Sequence, residues 1–269
     1  MHRLTEVEKV ATAKRYLAGE SSGIIAYSFG VTDVAILNHL KKMGVKRRGP
    51  SEARRVYPIW DQAFSILTQE AAYWVGFLMA DGCVHDASKV SVGLAEKDYQ
   101  HLQKLRSFLH TETRPIYIVP TTKSRQLKIH SEQIVKDLVS YGVVPRKSYC
   151  AKGKLNVHRM PSFWLGVLDG DGTIGWSKNR IRVRVAGTKQ LLTQLVSFLV
   201  AHKVRGRAST FKVRIGKSGK HLHEVTLCGQ RALNFLRLLY ADSPVYLSRK
   251  RKTAVRLGLK FSVLRCSTR

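Results

Sequence analysis

A chain of 269 residues with 44% hydrophobic and 24% charged residues holds enough apolar surface to build a real core, which excludes a disordered polyelectrolyte. Its formal net charge of +29 excludes an ordinary enzyme of small metabolites and calls for a polyanionic partner, most simply nucleic acid. The excess is uneven: residues 151–269 carry 25 Lys and Arg against 4 Asp and Glu, whereas residues 1–150 carry 22 against 14. No apolar run approaches the ~20 residues that span a bilayer, and the start, MHRLTEVEKV, lacks a signal-peptide core. Cys83, Cys150, Cys228 and Cys266 form no C-x-x-C pair and suggest free thiols in a reducing compartment, so an intracellular protein without a membrane partner is expected.

In chain order, residues 1–45 read as a small helical domain. Val7, Val10, Ala11, Lys14 and Leu17 have the spacing of one amphipathic helix, Ser21 to Ser28 forms a second, Gly30 turns the chain, and Thr32 caps a third running to about Met43. Ile25, Ala26, Phe29, Val31, Ile36, Leu37 and Leu40 are spaced for a shared three-helix core. The pattern is similar to a helix-turn-helix of the resolvase or transposase type, which makes Thr32, Asp33, Ala35, Asn38, His39 and Lys42 candidates to face a DNA groove. Residues 46–68 read as a basic linker, with Arg47 and Arg48 in a run, KRRGPSEARR, suited to a phosphate backbone.

From Gln69 the chain divides into two copies of one unit, residues 69–155 and 156–269. The segment YWVGFLMADG, Tyr73 to Gly82, is matched ninety residues on by FWLGVLDGDG, Phe163 to Gly172. Gly76 and Ala80, and likewise Gly166 and Gly170, stand at i and i+4 on one helix face, so the two helices can pack backbone against backbone and end with Asp81 beside Asp171. A carboxylate at a helix C-terminus is disfavoured by the helix dipole, and two together repel. A divalent cation between them relieves both penalties.

After each motif come strands and helices in the same order. In the first copy these are a strand at Lys89 to Glu96, a helix at Asp98 to His110, a hairpin at Arg114 to Val119 and Arg125 to His130, and a helix at Glu132 to Tyr141. In the second they are a strand at Arg180 to Gly187, a helix at Gln190 to His202, strands at Ala208 to Ile215 and Leu222 to Cys228, and a helix at Arg231 to Tyr240. Counted with the motif helix and a first strand, each copy is αββαββα. In RIRVRVAG, Ile181, Val183 and Val185 share one face and Arg180, Arg182 and Arg184 the other, with no intervening acid. Lys89 and Ser91, then Gln126, Lys128 and His130, and Thr210, Lys212 and Arg214, occupy comparable alternate positions and join the candidates for DNA contact. Antiparallel ribbons fit the major groove, where Arg and Lys read guanine edges and Gln reads adenine.

These residues resemble the LAGLIDADG homing endonucleases in their single-chain form, the nine-letter motif falling on Trp74 to Gly82 and Trp164 to Gly172. Its first leucine is tryptophan in both copies, and its first acid is Met79 in copy one and Asp169 in copy two. The resemblance implies an α+β fold of pseudo-twofold tandem repeats, with two curved antiparallel sheets over DNA and the small all-α domain ahead of them. It implies that Asp81 and Asp171 bind metal, Mg²⁺ on hard-oxygen grounds, and that Lys147 in RKSYCA and Lys250 in RKRKTA lie near the scissile phosphate. The expected activity is metal-dependent cleavage of both strands of a long duplex by a monomer, promoting mobility of an intron or gene. The alternative is a non-cleaving member, an RNA maturase on intron RNA or a transcription regulator.

Overall fold

The computed structural model describes residues 4–48, 57–177, 179–204, 212–215 and 221–259. The chain forms two units, Met1–Val56 and Tyr57–Arg269.

The first unit holds α1 (Glu6–Leu17), α2 (Ser22–Phe29) and α3 (Asp33–Lys42). Thr5 and Glu8 form a reciprocal capping box, and the Ser21 and Thr32 hydroxyls cap α2 and α3, as short polar side chains at helix starts do. Gly30 takes the left-handed φ of 62° that ends α2, and α2 and α3 meet at 107°. Ile25, Ala26, Ile36 and Leu40 are buried with Phe29, Val31 and Leu37 packed on them, as the spacing predicts. The face of α1 is a correction. Val7, Val10 and Leu17 are exposed, and Thr12, Ala13 and Tyr16 are buried instead. Tyr16 turns inward because Arg48 lies over its ring, 4.0 Å from the centroid, and donates its backbone N–H to the Tyr16 hydroxyl at 2.9 Å.

The second unit begins earlier than the sequence suggests. Residues 49–56 of the basic run lie outside the described residues, but residues 57–68, assigned above to the linker, are part of a core. Phe64 and Ala63 are buried, the Tyr141 hydroxyl donates to Phe64 O at 3.1 Å, and Asp61 accepts a hydrogen bond from Ser131.

The motif helices are α4 (Gln69–Asp81) and α7 (Pro161–Asp171), and each runs straight into a strand, β1 (Gly82–Val84) or β5 (Gly172–Ser177). The first copy continues with β2 (Lys89–Ala95), α5 (Tyr99–Phe108), β3 (Tyr117–Val119), β4 (Ser124–His130) and α6 (Glu132–Ser140). The second continues with β6 (Arg180–Gly187), α8 (Lys189–Ala201), β7 (Lys212–Ile215), β8 (His221–Cys228) and α9 (Gln230–Tyr240), then α10 (Ser248–Arg256). The sheets have the same antiparallel order, β1-β2-β4-β3 and β5-β6-β8-β7. Both follow from the period-two pattern: Val90, Val92, Leu127 and Ile129 are buried on one sheet and Ile181, Val183, Val185 and Leu227 on the other.

α4 and α7 pack at backbone contact. A Cβ on Gly76 would stand 2.0 Å from Phe163 O, and one on Gly166 would stand 2.0 Å from Tyr73 O. The contact is therefore reciprocal, and only glycine permits it. Beside it runs a buried polar chain that the sequence does not reveal. The Tyr73 hydroxyl donates to Asp169 Oδ2 at 2.7 Å, His101 Nε2 lies 2.9 Å from the Tyr73 oxygen, and Leu247 N donates to the same Asp169 oxygen at 2.7 Å. Burial pushes Asp169 up to about 7 and His101 down to about 3, which keeps the imidazole neutral. Ninety residues from Tyr73 and Asp169 stand Phe163 and Met79, both buried, so the opposite side of the seam carries an apolar pair in place of the polar one.

Gly76→Ala or Gly166→Ala should destabilise the second unit by at least the upper end of the ~1–3 kcal/mol that overpacking costs. Gly93→Ala, where a Cβ meets nothing closer than 3.8 Å, serves as the control. Equal urea midpoints for all three would refute the close approach. Asp169→Met should cost about 1–3 kcal/mol by leaving the Leu247 N–H without its acceptor and the Tyr73 hydroxyl with His101 as its remaining partner. Adding Tyr73→Phe, which recreates the pair of the opposite side, should recover part of that loss. A double-mutant cycle without coupling would show that the two residues do not act together.

Candidate active site

Asp81 and Asp171 are the last residues of α4 and α7. The helices converge there: a Cβ on Gly170 would meet the Ala80 Cβ at 2.3 Å and Asp81 Oδ2 at 3.3 Å. Gly82 and Gly172 follow in extended conformation, and a Cβ on either would press against the carbonyl of Leu78 or Leu168, so the chain passes directly from helix into the inner strand. Loss of hydration, then repulsion from Asp171, raises Asp81 to about 6. Asp171 is also raised by desolvation, with Lys147 and Lys250 pulling it back. Both carboxylates are thus held where ionisation is disfavoured and a cation is welcome.

The lysines come in from opposite directions and are not equivalent. Lys250, on α10, is buried, and its ammonium donates to Leu168 O (2.7 Å), Asp169 O (2.6 Å) and Gly172 O (2.6 Å), with Gly170 O at 3.3 Å. It caps the end of α7, where the helix dipole is negative. Among the described residues Lys147 Nζ has one acceptor, Ala80 O at 3.0 Å, and it is only half-buried. Desolvation lowers both amines. The two lysines expected near the scissile phosphate thus differ in engagement, the donors of Lys250 being taken up by the protein's own carbonyls.

The segments after each copy cross to the other copy. Arg249 grips Asp98 with bonds of 3.1 and 2.9 Å at the start of α5, and the Thr188 hydroxyl at the start of α8 donates to Ala151 O at 2.5 Å. Asp98 and Thr188 are ninety residues apart and are both helix N-caps. Their equivalence was legible in RSFL (106–109) and VSFL (196–199), but the tails that reach them were not.

The strand candidates fall unevenly. Arg180 and His130 are exposed, and Lys89, Gln126, Lys128 and Arg182 are half-buried on the polar faces of their sheets. Arg184 is not a free cation: buried Glu224, from β8, stands 3.8 Å from it, so the acid missing within β6 arrives from its neighbour. Ser91 is buried beneath exposed His85, 2.8 Å from its Nε2, and a groove would meet His85 first. Loss of hydration lowers His130, which the cations of Arg114 and Lys89 reinforce. Lys212 and Arg214 lie in β7, in register with Glu224 and Leu222; Thr210 lies outside the described residues. In the first unit Asn38, Lys42 and Arg47 are exposed, as are Thr32, Asp33 and Ala35. His39 turns inward, its Nε2 3.3 Å from Lys9 O. Arg48 is spent on its own fold, donating to Gly19 O at 2.8 Å and to Glu20 O.

A divalent cation fits the pair Asp81 and Asp171 by the chemistry of its donors: two hard carboxylates with raised proton affinity. Among the described residues no group of three or more His, Cys, Asp or Glu is gathered to cage a metal. The remaining ligands would then be waters and phosphate oxygens, the pattern Mg²⁺ favours.

No protein-family model matches the chain, and no curated protein matches it. Its structural neighbours include a LAGLIDADG meganuclease and a homing endonuclease. The meganuclease I-CpaMI bound to uncleaved DNA is 12% identical, with 71% of this chain and 90% of that one covered at a TM-score of 0.49. The homing endonuclease I-WcaI bound to its DNA recognition sequence is 11% identical, with 76% and 92% covered at a TM-score of 0.46.

Proposed function

We propose that the chain is a site-specific DNA endonuclease that hydrolyses one phosphodiester in each strand of a long duplex, with Mg²⁺ held at Asp81 and Asp171, and that it serves the mobility of its intron or gene. The observation that carries this reading is the convergence of two carboxylates at backbone-packed helix ends, within a chain of net charge +29. When bound, the cation would neutralise the carboxylates and polarise the phosphodiester and an attacking water. The water oxygen joins phosphorus as the bond to the 3′ oxygen breaks, and two acids suit a substrate with two strands. Lys250 holds the end of α7 and so positions Asp171, while Lys147 brings positive charge to the same carboxylates. Arg180, Arg182, Gln126, Lys128, His85 and His130 are placed to meet the grooves, and the differing residues of the two sheets favour an imperfect palindrome read by a monomer. The helical unit, with Asn38, Lys42 and Arg47 outward, acts as an accessory helix-turn-helix that extends the footprint. Incubating the protein with its gene's flanking DNA, fused without the insertion, with and without Mg²⁺, tests the whole reading. Binding without cutting would favour the maturase or regulator alternative.

Asp81→Asn and Asp171→Asn should each abolish double-strand cutting and leave affinity in chelator equal or higher, since a charge that repels phosphate is lost. Full cutting by either variant would sink the two-aspartate mechanism.

The pH dependence has a definite sign. Asp81 binds its proton more tightly folded than unfolded, so its stabilising contribution is present at low pH and is lost as pH rises from the ordinary value of 3.8 through about 6. In chelator, Asp81→Asn should show a shallower fall of melting temperature across that window than the native chain. The Mg²⁺ concentration for half-maximal cutting should rise below about pH 6, as protons compete for the same oxygens. Parallel melting curves and a pH-independent Mg²⁺ requirement would contradict this account.

A further inference from the structure

A cavity of about 690 Å³ opens beside Asp171, lined by Lys147, Ser148, Tyr149, Thr188, Lys189 and His223 among others. It gathers two cations, one of them exposed Lys189 and the other Lys147, whose single acceptor among the described residues is Ala80 O. The floor is the start of α8, whose 13 residues make it long enough to present a positive dipole end. The positions ninety residues earlier are of opposite character. Asp98 stands for Thr188 and Tyr99 for Lys189; Asp98 is held by Arg249, and the amine on that side, Lys250, is spent on carbonyls.

We propose that this cavity is a seat for one DNA phosphate, formed by Lys147 and Lys189, and that the half of the site around Asp81 has no equivalent. The inference rests on the nuclease reading for its setting and refines it. The two strands are engaged unequally, the strand at Asp171 being gripped by two additional cations. Charge complementarity selects the occupant: a phosphodiester brings one negative charge to two ammonium groups. The unequal grip follows from divergence at only a few positions, Asp98 against Thr188 and Tyr99 against Lys189, on an otherwise repeated backbone.

The test uses the full chain with mixed-sequence duplex DNA in chelator, with affinity measured over a range of KCl concentrations. Each phosphate contact contributes about 0.9 to the slope of log K against log salt. Lys147→Met and Lys189→Gln should each lower that slope by part of one phosphate's contribution, and the double variant by about one, with a smaller loss of melting temperature than Lys250→Met causes. Lys250→Met should leave the slope as it is and lower the melting temperature, because it orphans buried carbonyls. Unchanged slopes for Lys147→Met and Lys189→Gln would overturn the seat, as would a loss at Lys250→Met equal to theirs in a folded protein. The two lysines at the cavity mouth decide the outcome, so a Lys250 variant that fails to fold does not obscure it. Cutting plays no part in this readout. A chain that cleaves normally with unchanged slopes refutes the seat alone, and one that never cleaves yet loses slope refutes the nuclease reading alone.

Discussion

The backbone contact between α4 and α7 at Gly76 and Gly166 is the constraint on which the rest of the second unit depends. Helices this close leave no room for side chains along the seam, so each must turn its bulky residues outward: Trp74 toward His101 and Phe108, Trp164 toward Phe198. Those aromatics are the floor on which each sheet and its helices are built. The same closeness brings two helix C-termini and two carboxylates together, an arrangement with an electrostatic cost at every term: two dipole ends, two charges and partial desolvation. The structure offsets the dipoles with Lys250 and Lys147 and leaves the carboxylates in deficit. What remains, when a seam required by packing ends in charges that packing does not need, is a pair of carboxylates held close together.

Much of this was legible in the sequence because it is periodic. The two motif copies, the strands β2, β4 and β6 with their buried faces, and the helices α5 and α8 follow from spacing alone, since period two and period 3.6 report which face is apolar. The short first strands were counted but not located: Gly82 to Val84 is three residues long, and Gly172 to Ser177 lacks clean alternation, so their pairing is set by the helix they leave. Periodicity also misjudged α1, where Val7 and Val10 have the right spacing yet face outward. The inward face is chosen by Tyr16 and Arg48, thirty-two residues apart, and a contact at that range leaves no local signature.

The site was half legible. That Asp81 and Asp171 would meet followed from the small residues preceding them. What engages the other candidates is made of pairs that spacing does not show: Lys250 with the carbonyls of α7, Arg249 with Asp98, Glu224 with Arg184, His85 over Ser91. Lys250, Arg184 and Ser91 looked available to a ligand, and each is engaged by a partner within the fold. A sequence lists charges; it does not state which of them are already neutralised.

Comparison of the copies shows which features the architecture compels. The glycines at Gly76 and Gly166 and the acids at Asp81 and Asp171 occur twice, and so do the N-caps at Asp98 and Thr188 and the strand order, because the seam imposes the same backbone requirement from both sides. The polar groups beside the seam are under no such demand, and they differ as pairs. Tyr73 and Asp169 form a hydrogen bond, whereas their counterparts ninety residues away, Phe163 and Met79, are both apolar and buried. A lone change at either place would bury an unsatisfied hydroxyl or carboxyl, so divergence has to proceed in matched steps. The duplication thus holds two backbones to one geometry while allowing two chemistries to separate.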